Sequence, residues 1–450
     1  PGRWTRHVRH AMFARHARVD TQDFRMPAAD ASQPIPRPFD RRDAKTLGLS
    51  ALGGALEFYD FVVFVFFAKT LGALFFPPGT APWLAQLQVY GIFAAGYVAR
   101  PLGGIVMAHF GDRLGRKRMF TLSVFMMSVP TLLIGLLPTH AQIGALAPLL
   151  LLAMRIVQGI AVGGEVPGAW VFVAEHVPRS RVGIACATLT AGLTAGILIG
   201  SLLAAWINTR YSAAEVQAWV WRVPFLIGGV FGFVAVRLRR WLEETPVFVE
   251  MRERRQLARQ VPVKQVRAAH RPAVVLSILA SWQLTAAIVV IVLLTPTLVQ
   301  TSFGIAPAVA FRGNSLATLA LVFGCLAAGW AVARMGVGRA LLSGSLGLGV
   351  AAYALYGALL AGHEAQFVAW YTLAGFCCGV VGVTPALMVA AFPPEVRFSG
   401  LSFSYNVAYA VFGGLTPPLL AWLADAWGPL APAHYVAFTC VVGAGVALWC

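Results

Sequence analysis

Long apolar stretches alternate with short polar loops along most of this chain. A helix needs about 20 apolar residues to cross a hydrocarbon core of about 30 Å, and twelve stretches approach that length. Their approximate limits are 46–70, 84–108, 119–138, 146–172, 184–207, 219–238, 273–299, 308–333, 340–361, 366–390, 399–423 and 433–450. Because a backbone in lipid must satisfy its own hydrogen bonds, we expect each stretch to be helical.

The charges between these stretches orient them across the membrane. Alternate loops are rich in Arg and Lys, as in the turn Arg113–Arg118, whereas the others carry few positive residues beyond Lys69, Arg210 and Arg312. Short loops rich in Arg and Lys remain in the cytoplasm while their apolar flanks insert. We therefore expect an all-α membrane protein with twelve transmembrane helices, both termini cytoplasmic, in the inner (plasma) membrane.

A long charged loop divides the apolar stretches into two sets of six. It covers 242–270 and is expected to be a cytoplasmic linker. It separates an N-terminal six-helix bundle at 44–241 from a C-terminal six-helix bundle at 271–450. Two such halves are the architecture of transporters built from repeats.

The first residues differ from the rest of the chain. Residues 1–43 hold no apolar run long enough for a signal peptide, and we expect them to form a disordered cytoplasmic segment. Because the chain starts at Pro1, translation from Met26 is one interpretation of residues 1–25, and a targeting peptide is the other.

The composition agrees with a lipid environment. Hydrophobic residues make up 58% of the chain and charged residues 12%, with a mean hydropathy of +0.72, so a water-soluble fold would expose large apolar patches. The net charge of +17 resides in loops between apolar stretches, which argues against nucleic acid as a partner. The six cysteines lack metal-ligand spacing, and no nucleophile or phosphate-binding motif lies at a membrane face. We expect no metal, no cofactor and no enzyme activity.

Two acidic residues lie in the first apolar stretch. Glu57 and Asp60 are three residues apart on one helix face, about halfway across the membrane, and Tyr59 between them is a candidate substrate contact. An ionisable group at this depth costs at least about 2.5–3.5 kcal/mol on insertion scales and usually has a function. Two carboxylates this close do not both ionise readily, so one is expected to carry a proton, as a proton-coupling site requires. The structural alternative is a pair neutralised by an arginine or capping a broken helix.

The fourth apolar stretch holds a second polar set. Arg155, Gln158 and Glu165 fall on one helix face. A buried guanidinium can bind a substrate carboxylate with two hydrogen bonds, or it can pair with an acidic residue of another helix and stabilise the bundle. Glu165 is the candidate for an internal ion pair or a gating network. In the second half, the polar residues that could line the cavity or only make packing contacts are Gln283, Tyr405, Asn406 and Tyr409.

Several motifs resemble the major facilitator superfamily and its metabolite:proton symporter branch. The turn Gly111–Arg118 resembles the superfamily's loop between helices two and three, and Arg155–Gly159 resembles its helix-four motif. The motifs that look like the branch are Glu57–Phe61, Arg100–Gly104, Gly163–Glu165 with Ala174–His176, and Gly400–Asn406 followed by Phe412–Gly414. The resemblance covers about 44–450 and implies the major facilitator fold and the import of carboxylates or zwitterions with protons.

The basic turn is expected to act as a gate. Asp112, at the cytoplasmic end of helix two, can accept hydrogen bonds from a neighbouring helix N-terminus, and Gly111 and Gly115 permit the sharp bend. Its arginines could pair with an acidic residue after the fourth stretch or anchor to anionic lipid headgroups. The predicted gating residues are Gly111, Asp112, Arg113, Gly115, Arg116 and Glu175.

These features predict a monomeric, proton-coupled symporter that imports a small organic carboxylate or zwitterion by alternating access. Its expected partners are the small-molecule substrate, protons and the lipid bilayer. The alternatives within the same fold are a sugar or other solute facilitator and a drug:proton antiporter. The Gly-Pro element of such antiporters is absent from residues 192–200, which argues against export. A membrane enzyme or receptor is the alternative from another class.

Overall fold

The apolar stretches of the sequence lie on helices in the computed structural model, which describes residues 39–114, 116–239, 266, 270–362 and 364–449. The described residues contain no β-strand, so the expected all-α fold is confirmed. Residues 1–38, most of the expected linker at 242–270, and Gly115 lie outside the described residues. The expectations for the leader and the linker therefore stay predictions.

The first six long helices precede the linker. They are α1 (Arg41–Phe66), α2 (Pro82–Leu114), α3 (Arg116–Leu136), α4 (Leu146–His176), α5 (Val182–Arg210) and α6 (Arg222–Arg239). Short helical segments between them are Ala68–Phe75, His140–Ile143, Arg179–Arg181, Ala213–Glu215 and Val216–Val220. Helix α1 begins where it does because the Asp40 side chain accepts hydrogen bonds from the backbone N–H groups of Arg42 and Asp43, at 2.8 and 2.9 Å.

Six further helical elements follow the linker. Three of them are α7 (Arg271–Ala286, the π-helical Ala287–Leu294 and Thr295–Ser302), α8 (Pro307–Met335) and α9 (Val337–Leu360). The others are α10 (Glu364–Cys378, Gly379–Gly382 and Thr384–Ala391), α11 (Arg397–Ala408, the π-helical Tyr409–Gly413 and Gly414–Trp427) and α12 (Ala431–Trp449). A π-helical turn is rare and frequently marks a functional site. The one in α11 begins close to the predicted site residues Tyr405 and Asn406.

Length and apolarity indicate which of these helices cross a membrane. Within the described residues nine helices qualify, or ten if Ala213–Val220 and Arg222–Leu238, bent by 45°, form one span. Of the twelve predicted spans, the third has a shorter apolar part, Leu122–Leu136, and the eleventh begins with a polar segment. Large apolar side chains such as Val350 and Leu448, 72% and 78% exposed, face outward. Such a surface requires lipid rather than water.

Small residues allow close helix packing in the N-terminal set. Gly192, Gly196 and Gly200 of α5 all face α1, and a Cβ on Gly196 would overlap the carbonyl oxygen of Ala55. Backbones that approach this closely gain van der Waals contact, which is a main source of helix association in lipid. The spacing of four residues between these glycines therefore packs α5 against α1.

The two sets of six helices meet along α5 with α8 and along α2 with α11. In the first pair, the Asn314 side-chain amide donates to the Ser201 hydroxyl at 3.0 Å, and Ser201 and Ser315 share a hydrogen bond at 2.9 Å. Buried polar contacts of this kind fix the position of one helix on the other. The second pair borders the candidate site.

Candidate functional site

The carboxylate of Asp60 is buried between α1, α3 and α6. Asp60 is 1% exposed, and its Oδ1 atom lies against Gly228 of α6, where a Cβ would overlap it. Thr131 of α3 lies beside the carboxylate, but its hydroxyl donates to the carbonyl oxygen of Met127 at 3.0 Å. Within the described residues, neither Asp60 oxygen has a hydrogen-bond partner of good geometry. Glu57, one helical turn earlier, is buried as well. A carboxyl group held in this way can take up a proton and release it when its surroundings change.

A hydrogen-bonded chain joins α3 to α4 beside Asp60. Arg155 donates from Nη1 to Oε1 of Gln158 at 2.8 Å, and Gln158 donates from Nε2 to the Thr131 hydroxyl at 2.7 Å. We refer to Arg155, Gln158 and Thr131 as the polar relay. The sequence placed Arg155 and Gln158 on one helix face, and the structure brings them together. Thr131 was missed, because the sequence does not show which side of α3 faces α4.

The remainder of the Arg155 guanidinium lies among phenylalanine rings. Its Cζ atom is 4.5 Å from the ring centroid of Phe61, 4.4 Å from that of Phe64 and 5.2 Å from that of Phe93. The Arg155 side chain is fully buried, and its Nε and Nη2 atoms have no hydrogen-bond partner in the part of the chain that the structure describes. These two atoms form the edge with which arginine binds both oxygens of a carboxylate. Arg155 therefore presents an unused carboxylate-binding edge inside the bundle.

A second buried arginine, Arg100 of α2, lies at the boundary with α11. Its Cζ atom is 4.2 Å from the ring centroid of Tyr409, 5.3 Å from those of Tyr405 and Tyr97, and 5.8 Å from that of Phe61. We refer to these four rings as the aromatic cage. Arg100 is 1% exposed, and its Nε and Nη2 atoms likewise find no hydrogen-bond partner among the described residues. Sequence reasoning used Arg100 only as part of a family motif and missed it as a site residue.

The two guanidinium groups form one electropositive centre. Arg100 and Arg155 share the ring of Phe61 and are close enough to repel each other. No acidic residue in the described part of the chain forms an ion pair with either of them. Removing a charge from water costs several kcal/mol per ion unless an opposite charge compensates it. The centre is therefore complementary to an anion, while the rings around it are complementary to a cation.

Two predicted residues of α11 hold the helix sets together at this centre. The Asn406 side-chain amide donates to the carbonyl oxygen of Gly163 on α4 and also, at 2.8 Å, to that of Ser402 within α11. Tyr405 packs edge-on against Trp170 of α4, with ring centroids 5.0 Å apart. Tyr405 and Asn406 therefore contact the N-terminal helices directly.

Three other predicted residues lie elsewhere in the bundle. The Tyr59 hydroxyl donates to the carbonyl oxygen of Pro224 at 2.8 Å, which directs this side chain toward α6. Gln283 donates to the Ser345 hydroxyl at 2.7 Å, which directs it toward α9. Glu165 is buried on α4. Tyr59 and Gln283 thus make their contacts within their own helix sets, and not with the two arginines.

The predicted gating turn is only partly described. Gly115 lies outside the described residues, and for Gly111, Asp112, Arg113 and Arg116 the structure describes the backbone alone, at the ends of α2 and α3. The sixth predicted gating residue makes a contact that the sequence did not indicate. The carboxylate of Glu175 at the end of α4 lies 3.9 Å from the guanidinium of Arg397 at the start of α11. This ion pair joins the two helix sets.

Comparison with known proteins shows where this architecture occurs. The sequence model of the Major Facilitator Superfamily matches residues 47–356. A proline/betaine transporter of Salmonella typhimurium is 31% identical over 427 residues, covering 90% of this chain and 82% of the relative. A glycine betaine/proline/ectoine/pipecolic acid transporter of Dickeya dadantii is 31% identical over 421 residues, with the same coverage of 90% and 82%.

A solved structure shows the same fold at lower sequence identity. The proton:xylose symporter XylE of E. coli superposes with a TM-score of 0.73 at 16% identity, covering 90% of this chain and 94% of that one. The family match extends over more than half of the chain, and the relatives are transporters rather than enzymes. The chain therefore belongs to the Major Facilitator Superfamily, as a multi-pass membrane transporter of a small molecule.

Proposed function

We propose that this chain imports a small zwitterion of the betaine and proline class together with protons, by alternating access. In this proposal it acts as a monomer in the inner (plasma) membrane, with both termini in the cytoplasm. The observation that carries the proposal is the pair of buried guanidinium groups, Arg100 and Arg155. Their Nε and Nη2 edges have no partner within the described residues, and a carboxylate is the group that would complete them.

The names of the relatives and of the structural neighbour support the substrate class and the proton coupling. Two relatives that are 31% identical are named as transporters of proline, betaine and related zwitterions. XylE, which shares the fold, is named as a proton symporter. A sugar, the substrate expected of the alternative facilitator, has no carboxylate and would leave both guanidinium groups uncompensated.

Asp60 is proposed to take up the transported proton, with Glu57 as the second acidic group on the same helix. Arg155 binds the substrate carboxylate through Nε and Nη2, while Gln158 accepts a hydrogen bond from the Nη1 atom of Arg155 and fixes the guanidinium in place. Because Thr131 lies beside Asp60 and also accepts the hydrogen bond of Gln158, the polar relay connects the proton site to the substrate site. A change of charge at Asp60 would therefore alter the orientation of Arg155.

Alternating access requires that the cytoplasmic and outer ends of the bundle open in turn. The ion pair of Glu175 with Arg397 stabilises the contact between the cytoplasmic ends of α4 and α11. Asp112 and the basic turn that follows it are proposed to stabilise the same closed state. Both contacts must break before substrate can leave toward the cytoplasm.

Uptake by purified protein in proteoliposomes tests this proposal. An inward proton gradient should drive accumulation of radiolabelled glycine betaine or proline, and a protonophore should abolish it. Xylose is the control substrate and should not accumulate. Accumulation of xylose without the zwitterions, or zwitterion uptake that ignores the proton gradient, would contradict the proposal.

A further inference from the structure

The aromatic cage has the chemistry of a binding site for an organic cation. The faces of aromatic rings carry negative electrostatic potential, and sets of such rings recognise alkylated ammonium groups. In the cage, the centroids of Tyr405 and Tyr409 are 4.5 Å apart, and those of Tyr97 and Tyr409 are 5.5 Å apart. The guanidinium of Arg100 lies among them, closest to the ring of Tyr409. A cation therefore already occupies this place.

Arg100 has no acidic partner among the described residues to hold it there. Its Nε and Nη2 atoms have no hydrogen-bond partner, and no carboxylate of the described residues forms an ion pair with it. An arginine side chain has several rotatable bonds, so the guanidinium can change its position without a change in the backbone. A ligand that supplies both a better cation for the rings and a carboxylate for the guanidinium would move Arg100 out of the cage.

We propose that the aromatic cage binds the ammonium group of the substrate, and that Arg100 is the occupant of the cage in the empty transporter. The incoming alkylated ammonium takes the place of the guanidinium, and the displaced guanidinium joins Arg155 in binding the carboxylate of the same ligand. The substrate class is then a compact amino acid whose nitrogen is methylated or lies in a ring. This inference rests on the proposed function in taking the ligand to be a zwitterion.

The four rings of the aromatic cage come from both helix sets, so the cage can stabilise the closed state of the transporter. Phe61 and Tyr97 belong to α1 and α2, whereas Tyr405 and Tyr409 belong to α11 in the other helix set. The cage is complete only while α2 and α11 are in contact. A ligand cation in the cage therefore stabilises the state in which the two helix sets are closed around it.

Two ligands of equal shape test the cage in the unmodified protein. Glycine betaine and tert-butylacetate differ in one atom, because a neutral carbon replaces the charged nitrogen. Cation–π attraction at a desolvated site predicts that glycine betaine binds at least about tenfold more tightly. Equal affinities, measured by calorimetry on purified protein, would overturn the proposal.

Tetramethylammonium, a cation without a carboxylate, tests the displacement of Arg100. In Arg100→Gln the cage has lost its occupant, so tetramethylammonium should bind at least about fivefold more tightly than to the unmodified protein. Glycine betaine should bind more weakly to the same variant, because its carboxylate has lost a partner. A merely structural role of Arg100 predicts weaker binding of both ligands, and that result would overturn the displacement.

Variants of one ring separate the cage from general folding. In the Arg100→Gln background, Tyr409→Phe should keep the affinity for tetramethylammonium within about twofold, whereas Tyr409→Leu should lower it about tenfold. Tyr353→Leu is the control, because Tyr353 lies on α9 and contacts His434 instead of the cage. Equal losses in Tyr409→Leu and Tyr353→Leu would contradict the proposal.

The outcomes also separate this inference from the proposed function. Tetramethylammonium binding that follows the predicted order, without proton-driven zwitterion uptake, would support the cage and refute the proposed transport. Proton-driven uptake of betaine together with equal binding of betaine and tert-butylacetate would support the proposed transport and refute the cage. If Arg100→Gln does not fold, the comparison of these two ligands in the unmodified protein decides the question.

Discussion

Replacing Arg155 by lysine should weaken substrate binding without unfolding the protein. Lysine keeps the positive charge and can donate a hydrogen bond, but it lacks the planar edge formed by Nε and Nη2. No described residue hydrogen-bonds to this edge, while Nη1 donates to Gln158 at 2.8 Å. Losing one charge-assisted hydrogen bond to a buried carboxylate costs roughly 1.5–3 kcal/mol. The dissociation constant for glycine betaine should therefore rise by roughly 10- to 150-fold.

Calorimetry on purified protein measures this constant, and a thermal melt of the same sample reports on folding. Arg222→Lys is the matched control, because Arg222 also lies over a ring, that of Trp221 at 4.4 Å, and donates to the carbonyl oxygens of Gly135 and Leu137. The dissociation constant of Arg222→Lys for glycine betaine should equal that of the unmodified protein. If Arg155→Lys bound glycine betaine normally but melted several degrees lower, Arg155 would be structural and the reasoning would be refuted.

Three further predictions follow from contacts around the site. Thr131→Val removes the hydroxyl that accepts the hydrogen bond of Gln158, so it should weaken glycine betaine binding about tenfold, whereas Thr131→Ser should change the affinity by less than about twofold. If calorimetry gave the same affinity for Thr131→Val and Thr131→Ser, the polar relay would be contradicted. Gly163→Ala would place a Cβ against the carbonyl oxygen of Arg100, so thermal melts should show a loss of about 1–3 kcal/mol of stability. Gly91→Ala is the control and should show no loss, because its Cβ would enter open space. Glu175→Gln should loosen the contact of α4 with Arg397 of α11, and spin labels at the end of α4 and the start of α11 should report a broader distance distribution. An unchanged distribution would exclude a gating role for this ion pair.

Some of the site could be predicted because it depends on one helix at a time. Helical spacing alone places Arg155 and Gln158 on one face, and the structure joins them by a hydrogen bond. Burial of Glu57 and Asp60 likewise follows from their place in an apolar helix. Their roles in proton coupling stay predictions.

Contacts between helices could not be predicted, because they depend on how each helix is rotated about its axis. The sequence shows that Arg100 and Tyr97 lie on α2, but it does not show that this face meets Tyr409 of α11. The same limit applies to Gln283, for which cavity lining and a packing contact were both open, and which donates to Ser345 of α9 in the structure.

The substitution Asp60→Asn tests the central claim most directly, because asparagine has the shape of the carboxyl group but cannot exchange a proton. In proteoliposomes with an inward proton gradient, the unmodified protein should accumulate radiolabelled glycine betaine above its external concentration. The Asp60→Asn protein should still exchange internal for external glycine betaine but should not accumulate it. Accumulation by Asp60→Asn at the level of the unmodified protein would contradict the account.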